Sequence, residues 1–397
     1  MRAHWAPADG RCRVAIVRLP SPSSRPPAAL HPPEPVRDPA HPDAPVSLGG
    51  GAAPLGDAID VSAVPAEGQL VDRFGRVHRD LRISLTDRCS LRCTYCMPAE
   101  GVPWIMKDNI LTTLELERVA RVAASLGIDE VRLTGGEPLL RKDIVDVVRR
   151  MAAIEGPHGP LRVSITTNGL RLPQLMDDLV AAGLERVNVS IDTLDRQRFA
   201  DLTRRDRLDD VLEGIRIARD SGLRPLKLNA VLLRGVNDDE ACDLLRFAMD
   251  NDAELRFIEQ MPLDAGHTWT REGMIEGAEI LDRLSAEFDL EPVDARGAAP
   301  AERFVVNGGP HHVGVIASVT APFCGACDRV RLTADGQIRN CLFARGESDL
   351  LPLLRGDADD DAIARLLRTS IAGKRAGHGI DDPGFLQPDR PMSAIGG

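Results

Sequence analysis

Aromatic side chains are scarce in this chain: Phe, Trp and Tyr together make up 3% of 397 residues, and Tyr95 is the one tyrosine. Binders of single-stranded nucleic acid stack bases on aromatic rings, so this scarcity argues against that class. Positive charge is also short, with 49 Lys and Arg against 60 Asp and Glu. The formal net charge of −11 has the wrong sign for coating a phosphate backbone. Four of the basic residues are lysine (Lys107, Lys142, Lys227 and Lys374) and the rest arginine, which reads as a bias of coding composition. No apolar run approaches the ~20 residues a membrane-spanning helix needs, and no secretory apolar segment opens the chain, so no membrane association is expected. With 43% hydrophobic and 27% charged residues the balance is globular, and a reducing cytoplasm is the expected compartment.

Proline is unevenly spread. Residues 1–65 hold 13 of the 29 prolines, and a stretch such as Pro26-Pro27-Ala28-Ala29-Leu30-His31-Pro32-Pro33 cannot sustain a helix or a sheet interior. This arm is read as a disordered, dispensable extension. Its Arg-rich opening faintly resembles an organellar transit segment, but the prolines spoil an amphipathic helix. Beyond it, short apolar strands alternate with helical periodicity. A strand Leu81-Arg82-Ile83-Ser84-Leu85-Thr86 comes first. A helix then opens on the capping box Thr112-x-x-Glu115, carries Leu116, Val119, Ala120 and Ala123 at helical spacing, and stops at Gly127. Further strands fall near 130–134, 162–167, 186–191, 226–233 and 255–260. Six strand-helix units predict an α/β fold with a parallel sheet, open or closed into a barrel.

These strands are polar on one face: Arg82, Ser84 and Thr86; Arg132 and Thr134; Ser164 and Thr166; Asn188, Ser190 and Asp192; Lys227 and Asn229. Buried parallel strands are ordinarily apolar on both faces. Any one polar face could simply meet solvent or helix-borne acids; five in phase predict a wet, ligand-filled lumen. Binding groups should gather at the carboxyl ends of the strands, where Thr86, the run Thr134-Gly135-Gly136-Glu137-Pro138, Thr167-Asn168, Ser190-x-Asp192 and Glu259-Gln260-Met261 lie.

Six of the eight cysteines form two tight groups, which suggests metal rather than disulfides. Cys89-x-x-x-Cys93-x-x-Cys96 follows the first strand, and three thiolates on one loop suit three irons of a cubane iron-sulfur cluster, the fourth iron staying open. A structural zinc would want a fourth protein ligand, and no nearby Cys or His supplies one. Cys324-x-x-Cys327 and Cys341 repeat the three-ligand logic; the alternative there is a zinc knuckle completed by His311 or His312. The Arg329-Val330-Arg331 run beside them suits polyphosphate or purine recognition. Cys242 reads as core and Cys12 as part of the arm.

The loop CxxxCxxC after strand one with GGEP after strand two resembles the radical S-adenosylmethionine (SAM) superfamily. Together with TTNG, NVSID, RFIEQM, CGACDRVRL and a terminal Ile395-Gly396-Gly397, the pattern from about Val71 to Gly397 resembles the GTP 3′,8-cyclase family of molybdenum-cofactor biosynthesis. The resemblance implies an incomplete (β/α)6 TIM-like barrel over 66–262 and an auxiliary-cluster region over 263–397 that closes the lumen with an inserted Gly-Gly tail. It implies a lyase with two 4Fe-4S clusters and SAM. Cys89, Cys93 and Cys96 would hold the first cluster, with Tyr95, Gly136, Glu137, Ser190 and Met261 around SAM, and Cys324, Cys327 and Cys341 the second. GTP would meet Arg82, Arg132, Thr167, Lys227, Arg256, Arg329, Val330 and Arg331, with Arg329, Arg331, Gly396 and Gly397 closest to the chemistry. The implied product is (8S)-3′,8-cyclo-7,8-dihydroguanosine 5′-triphosphate. The implied partners are a low-potential electron donor and the downstream cyclic pyranopterin monophosphate synthase, and a homodimer is allowed. Glu130 departs from the pattern, standing where the family often has a basic residue. A peptide-modifying radical SAM enzyme would carry more auxiliary cysteines, and a two-cluster electron carrier would not need GGEP or a cation-lined lumen.

Overall fold

The computed structural model describes Val64 and residues 67–396, except Asp294 and Ala295. The proline-rich arm expected over 1–65 lies outside the described residues apart from Val64, as does Gly397. Six strands alternate with helices. β1 (Asp80–Ser84) leads to α1 (Thr113–Ser125), β2 (Glu130–Thr134) to α2 (Ile144–Ala152), and β3 (Arg162–Thr167) to α3 (Leu172–Ala181). β4 (Arg186–Ser190) is followed by α4 (Arg196–Thr203) and α5 (Leu208–Asp220), and β5 (Leu226–Val231) by α6 (Ala241–Asp250) and β6 (Ala253–Ile258). All six pair in parallel in sequence order. The capping box forms as expected: the Thr112 hydroxyl accepts from the Glu115 amide, the Glu115 carboxylate accepts from the Thr112 amide, and Gly127 leaves the helix at φ 97°. Leu116, Val119, Ala120 and Ala123 are buried beneath α1, joined by the apolar strand faces (Leu81, Ile83, Val131, Leu133, Val163, Ile165) in one continuous core.

The C-terminal region continues the sheet from both sides, which periodicity did not foretell. After α7 (Gly277–Ser285) come β7 (Leu290–Pro292), β8 (Glu302–Val306) and β9 (His312–Ile316), with β9 parallel to β6. The chain then crosses to the opposite edge, where β10 (Arg329–Leu332) lies parallel to β1, followed by β11 (Gln337–Arg339) and β12 (Ser348–Asp349). Helices α8 (Leu351–Arg355), α9 (Asp360–Ala372) and α10 (Met392–Ile395) complete the chain. Eight strands are therefore parallel. Among the described residues β9 and β10 do not pair, so the barrel is incomplete.

Candidate active site

The register puts the polar residues on one face in tilted rows. Arg82 stands opposite Arg132 on one side and Arg331 on the other, Arg132 opposite Ser164, and Ser164 opposite Arg186. A second row joins Thr166, Asn188, Lys227 and Glu254, and Arg256 neighbours Asn229 one step further along. Acids sit among these cations: Asp80 lies 3.6 Å from Arg82 and 3.5 Å from Arg329, Glu130 lies 2.9 Å from Arg132, and Glu254 lies 2.7 Å from Arg256. Burial opposes ionisation of Asp80, yet the guanidiniums of Arg82, Arg132, Arg329 and Arg331 together hold its carboxyl below the usual range. Burial and the neighbouring Arg256 push Lys227 down to about 7, and burial with Arg329 pushes Arg331 down to about 10. Cations this crowded and desolvated favour an anionic ligand. The buried hydroxyls of Ser84 and Thr134 have no hydrogen-bond partner among the described residues, and Gly396 lies against both.

The first cysteine loop is fixed by backbone. Gly136 and Glu137 donate their amides to the Thr86 and Arg88 carbonyls, both at 2.7 Å, and a Cβ on Gly136 would collide with the Arg88 backbone. The paired glycines thus let the GGEP loop lie flush on the cysteine loop. The buried Glu137 carboxylate accepts from the Thr167 hydroxyl (2.7 Å) and the Asn168 and Leu139 amides (2.7 and 3.0 Å), so its side chain ties two strand ends together. Tyr95 donates to Asp192 at 2.6 Å, and the other Asp192 oxygen accepts from the Val231 amide. Burial pushes the Cys93 thiol well up, and Asp192 and the sulfurs of Cys96 and Cys89 add to it. Cys96 is pushed up to about 12, by burial and by Cys89. Three neighbouring sulfurs that resist ionisation unaided fit a cationic iron centre, which supplies the missing charge. Among the described residues no three Cys, His, Asp or Glu converge to hold a single ion. Cubane thiolates bind separate irons and do not need to converge.

Cys324, Cys327 and Cys341 line one pocket with Arg329, Arg331, Asn340, His378 and Met261. Met261, expected near SAM, therefore also borders the second group. Cys324 is pushed up to about 11 by burial and by Cys341. Cys327 goes the other way: burial opposes it, but Lys374 and Arg329 favour its thiolate. Arg329 also stacks on Phe323 at 4.7 Å. Val330 is the exception in its run. Its side chain points into the apolar core, so only its backbone is offered to a ligand. The chain enters the lumen at Gly396: Arg331 donates to the Gly396 carbonyl, and a Cβ on Gly396 (φ 74°) would overlap the Thr134 and Ser84 hydroxyls. Ser393 donates its amide toward Cys96.

Several residues at the site escaped sequence reasoning. Lys374 donates to the Arg329 carbonyl at 2.8 Å and approaches the Cys327 sulfur at 3.4 Å; its one sequence signal is that lysine is rare here. Asn168 was legible at its strand end beside Thr167, but its reach to Ser90 (3.0 Å) and the Cys89 sulfur (3.8 Å) was not. Arg76 grips the Cys324 carbonyl (2.6 Å) from before β1 and has no motif to mark it. His311 and His312 line a separate pocket at the strand amino ends with Arg224, Asp252 and Glu254, away from the cysteines, so they do not complete a zinc site.

Two three-cysteine groups on a parallel α/β barrel, with a Gly-Gly loop packed on the first, define a radical SAM enzyme. Accordingly, the Radical SAM superfamily profile matches residues 83–248, and a second, Molybdenum Cofactor Synthesis C, matches residues 253–380. A GTP 3′,8-cyclase of Streptomyces coelicolor is 60% identical over 331 residues, covering 83% of this chain and 96% of that one. Those of Mycolicibacterium smegmatis (54% over 342 residues, 85% and 94%) and Corynebacterium glutamicum (51% over 348 residues, 85% and 92%) are also similar. The chain belongs to the GTP 3′,8-cyclase family.

Proposed function

We propose that this chain converts GTP to (8S)-3′,8-cyclo-7,8-dihydroguanosine 5′-triphosphate, the first step of molybdenum-cofactor biosynthesis. The observation that carries this reading is the cation-lined lumen running between two three-cysteine groups. Residues 66–262 supply the radical machinery and 263–397 the auxiliary site. Cys89, Cys93 and Cys96 hold one 4Fe-4S cluster, with Tyr95, Gly136, Ser190 and Met261 and the backbone edge at Glu137 around SAM; Cys324, Cys327 and Cys341 hold the other. When bound, SAM on the cluster held by Cys89, Cys93 and Cys96 would supply, on taking up one electron and releasing methionine, a 5′-deoxyadenosyl radical able to take the C3′ hydrogen of the ribose.

The chain's own residues bind, orient and exclude water. Arg82, Arg132, Lys227 and Arg256 neutralise the triphosphate along the lumen, while Thr167 braces the loop above it. Arg329, the Val330 backbone and Arg331 face the guanine side, and the tail at Gly396 fills the space beside Arg331. With the ribose held against the guanine, the C3′ radical attacks C8. Closing the ring leaves a radical that takes up one electron and one proton. A low-potential donor must supply this electron and the one that cleaves SAM, and a cyclic pyranopterin monophosphate synthase receives the product. Among the described residues no helix is long and apolar enough to cross a membrane, and the compartment proposed is the cytoplasm.

The test is anaerobic reconstitution with iron, sulfide, reductant and SAM, with 5′-deoxyadenosine and nucleotide products quantified with and without GTP. GTP-dependent deoxyadenosine together with a cyclic nucleotide is the expected outcome. Deoxyadenosine formation indifferent to GTP would sink the substrate assignment.

A further inference from the structure

The substrate's ribose has to face the SAM residues at the carboxyl ends of the strands, so its charged tail runs toward their amino ends. There, Glu130 opens β2 and Arg186 opens β4. The Glu130 carboxylate lies 2.9 Å from Arg132, 2.5 Å from Arg186 and 3.7 Å from Arg162. Arg132 and Arg186 flank Ser164 from adjacent strands, so one carboxylate holds two guanidiniums on either side of one small residue. The Arg186 side chain keeps 21% of its surface exposed while its Nη2 pairs with the Glu130 carboxylate. Its charge already reaches the substrate row, since Arg186 and Arg132 are both among the cations that press on Lys227.

We propose that Arg186 contacts the terminal phosphate of the substrate triphosphate, and that Glu130 is a positioning residue that holds Arg132 and Arg186 spread to receive it. This assignment rests on the GTP reading above. A lone carboxylate beside a triphosphate would repel it. Arg162 is held by Asp129 at 2.8 Å, so Glu130 shared between Arg132 and Arg186 leaves one surplus positive charge and fixes the orientation of that pair, which a flexible lysine at position 130 would not do. The acidic residue is thus compatible with triphosphate binding because it organises its basic neighbours. Contacts confined to the terminal phosphate separate a nucleoside triphosphate from a diphosphate.

The experiment uses the reconstituted two-cluster enzyme and measures the Kd of GTP and of GDP by anaerobic calorimetry, with KM and kcat for GTP alongside. Arg186→Gln is expected to weaken GTP about tenfold and GDP less than about twofold, the loss falling on KM rather than kcat. Arg186→Lys should restore part of the difference. Glu130→Gln should narrow the gap between GTP and GDP, whereas a purely scaffolding role would shift both nucleotides together. Equal weakening of GTP and GDP in Arg186→Gln, or no change in either, overturns the assignment while the cyclase reading stands. Failure of the unsubstituted enzyme to bind GTP overturns both.

Discussion

Single side chains set the chemistry of the lumen, and Lys227 is the one whose charge changes near neutral pH. In the folded chain its ammonium is pushed down to about 7 by burial and by Arg256, against an ordinary value near 10.5. Between those values the unfolded chain binds the extra proton, so this group's contribution makes the ligand-free protein more stable as pH rises from about 7 toward 10.5. A triphosphate works in the opposite sense, favouring the protonated amine. The KM for GTP should therefore rise between pH 7 and 9, and Lys227→Arg should flatten that profile; a profile that keeps its slope in the variant removes Lys227 from the phosphate set. Lys374 acts at the other end, favouring the Cys327 thiolate. Lys374→Met should lower iron retention at the second site while Cys89, Cys93 and Cys96 keep theirs, which Mössbauer counting resolves. The two cysteine groups were legible because their spacing is local. The Lys374 contact was not, because it spans 47 positions of chain.

Helices and strands obeyed their periodicity where burial is one-sided. The capping box, the stop at Gly127 and the six parallel strands were readable because each depends on near neighbours. The alternation of polar and apolar residues also gave the lumen face before any register was known. The partners of the two edge strands were not readable, since β9 and β10 are short and sheet order depends on distant pairings. At α10 and its tail the fit is close: Ile395 is buried with Leu263, Met274 and Phe343 while Gly396 threads between hydroxyls. Gly396→Ala should displace the tail, leaving SAM cleavage measurable but uncoupling it from GTP cyclisation by tenfold or more, on the order of the cost of losing one positioned contact. Undiminished coupling in that variant would show that the tail only packs.

At the level of the molecule, both edges of the six-stranded set are covered by strands from the C-terminal region, β10 against β1 and β9 against β6. Uncovered parallel edges invite intermolecular pairing. A fragment ending at Met261 should accordingly be recovered largely as aggregate, and circular dichroism of any soluble remainder should lack a cooperative melt; a monomeric, cooperatively melting fragment would contradict the edge argument. The same arrangement has a consequence for how the chain is made. β1 leaves the ribosome roughly 250 residues before β10, an interval on the order of 10–50 s at ordinary elongation rates. For that time the nascent sheet has no neighbour for its first strand, and its completion waits for almost the last segment translated. The second cysteine group, Cys324 to Cys341, is translated in that same late segment, so a ribosome stalled before it leaves a sheet that lacks both β10 and the second three-cysteine group.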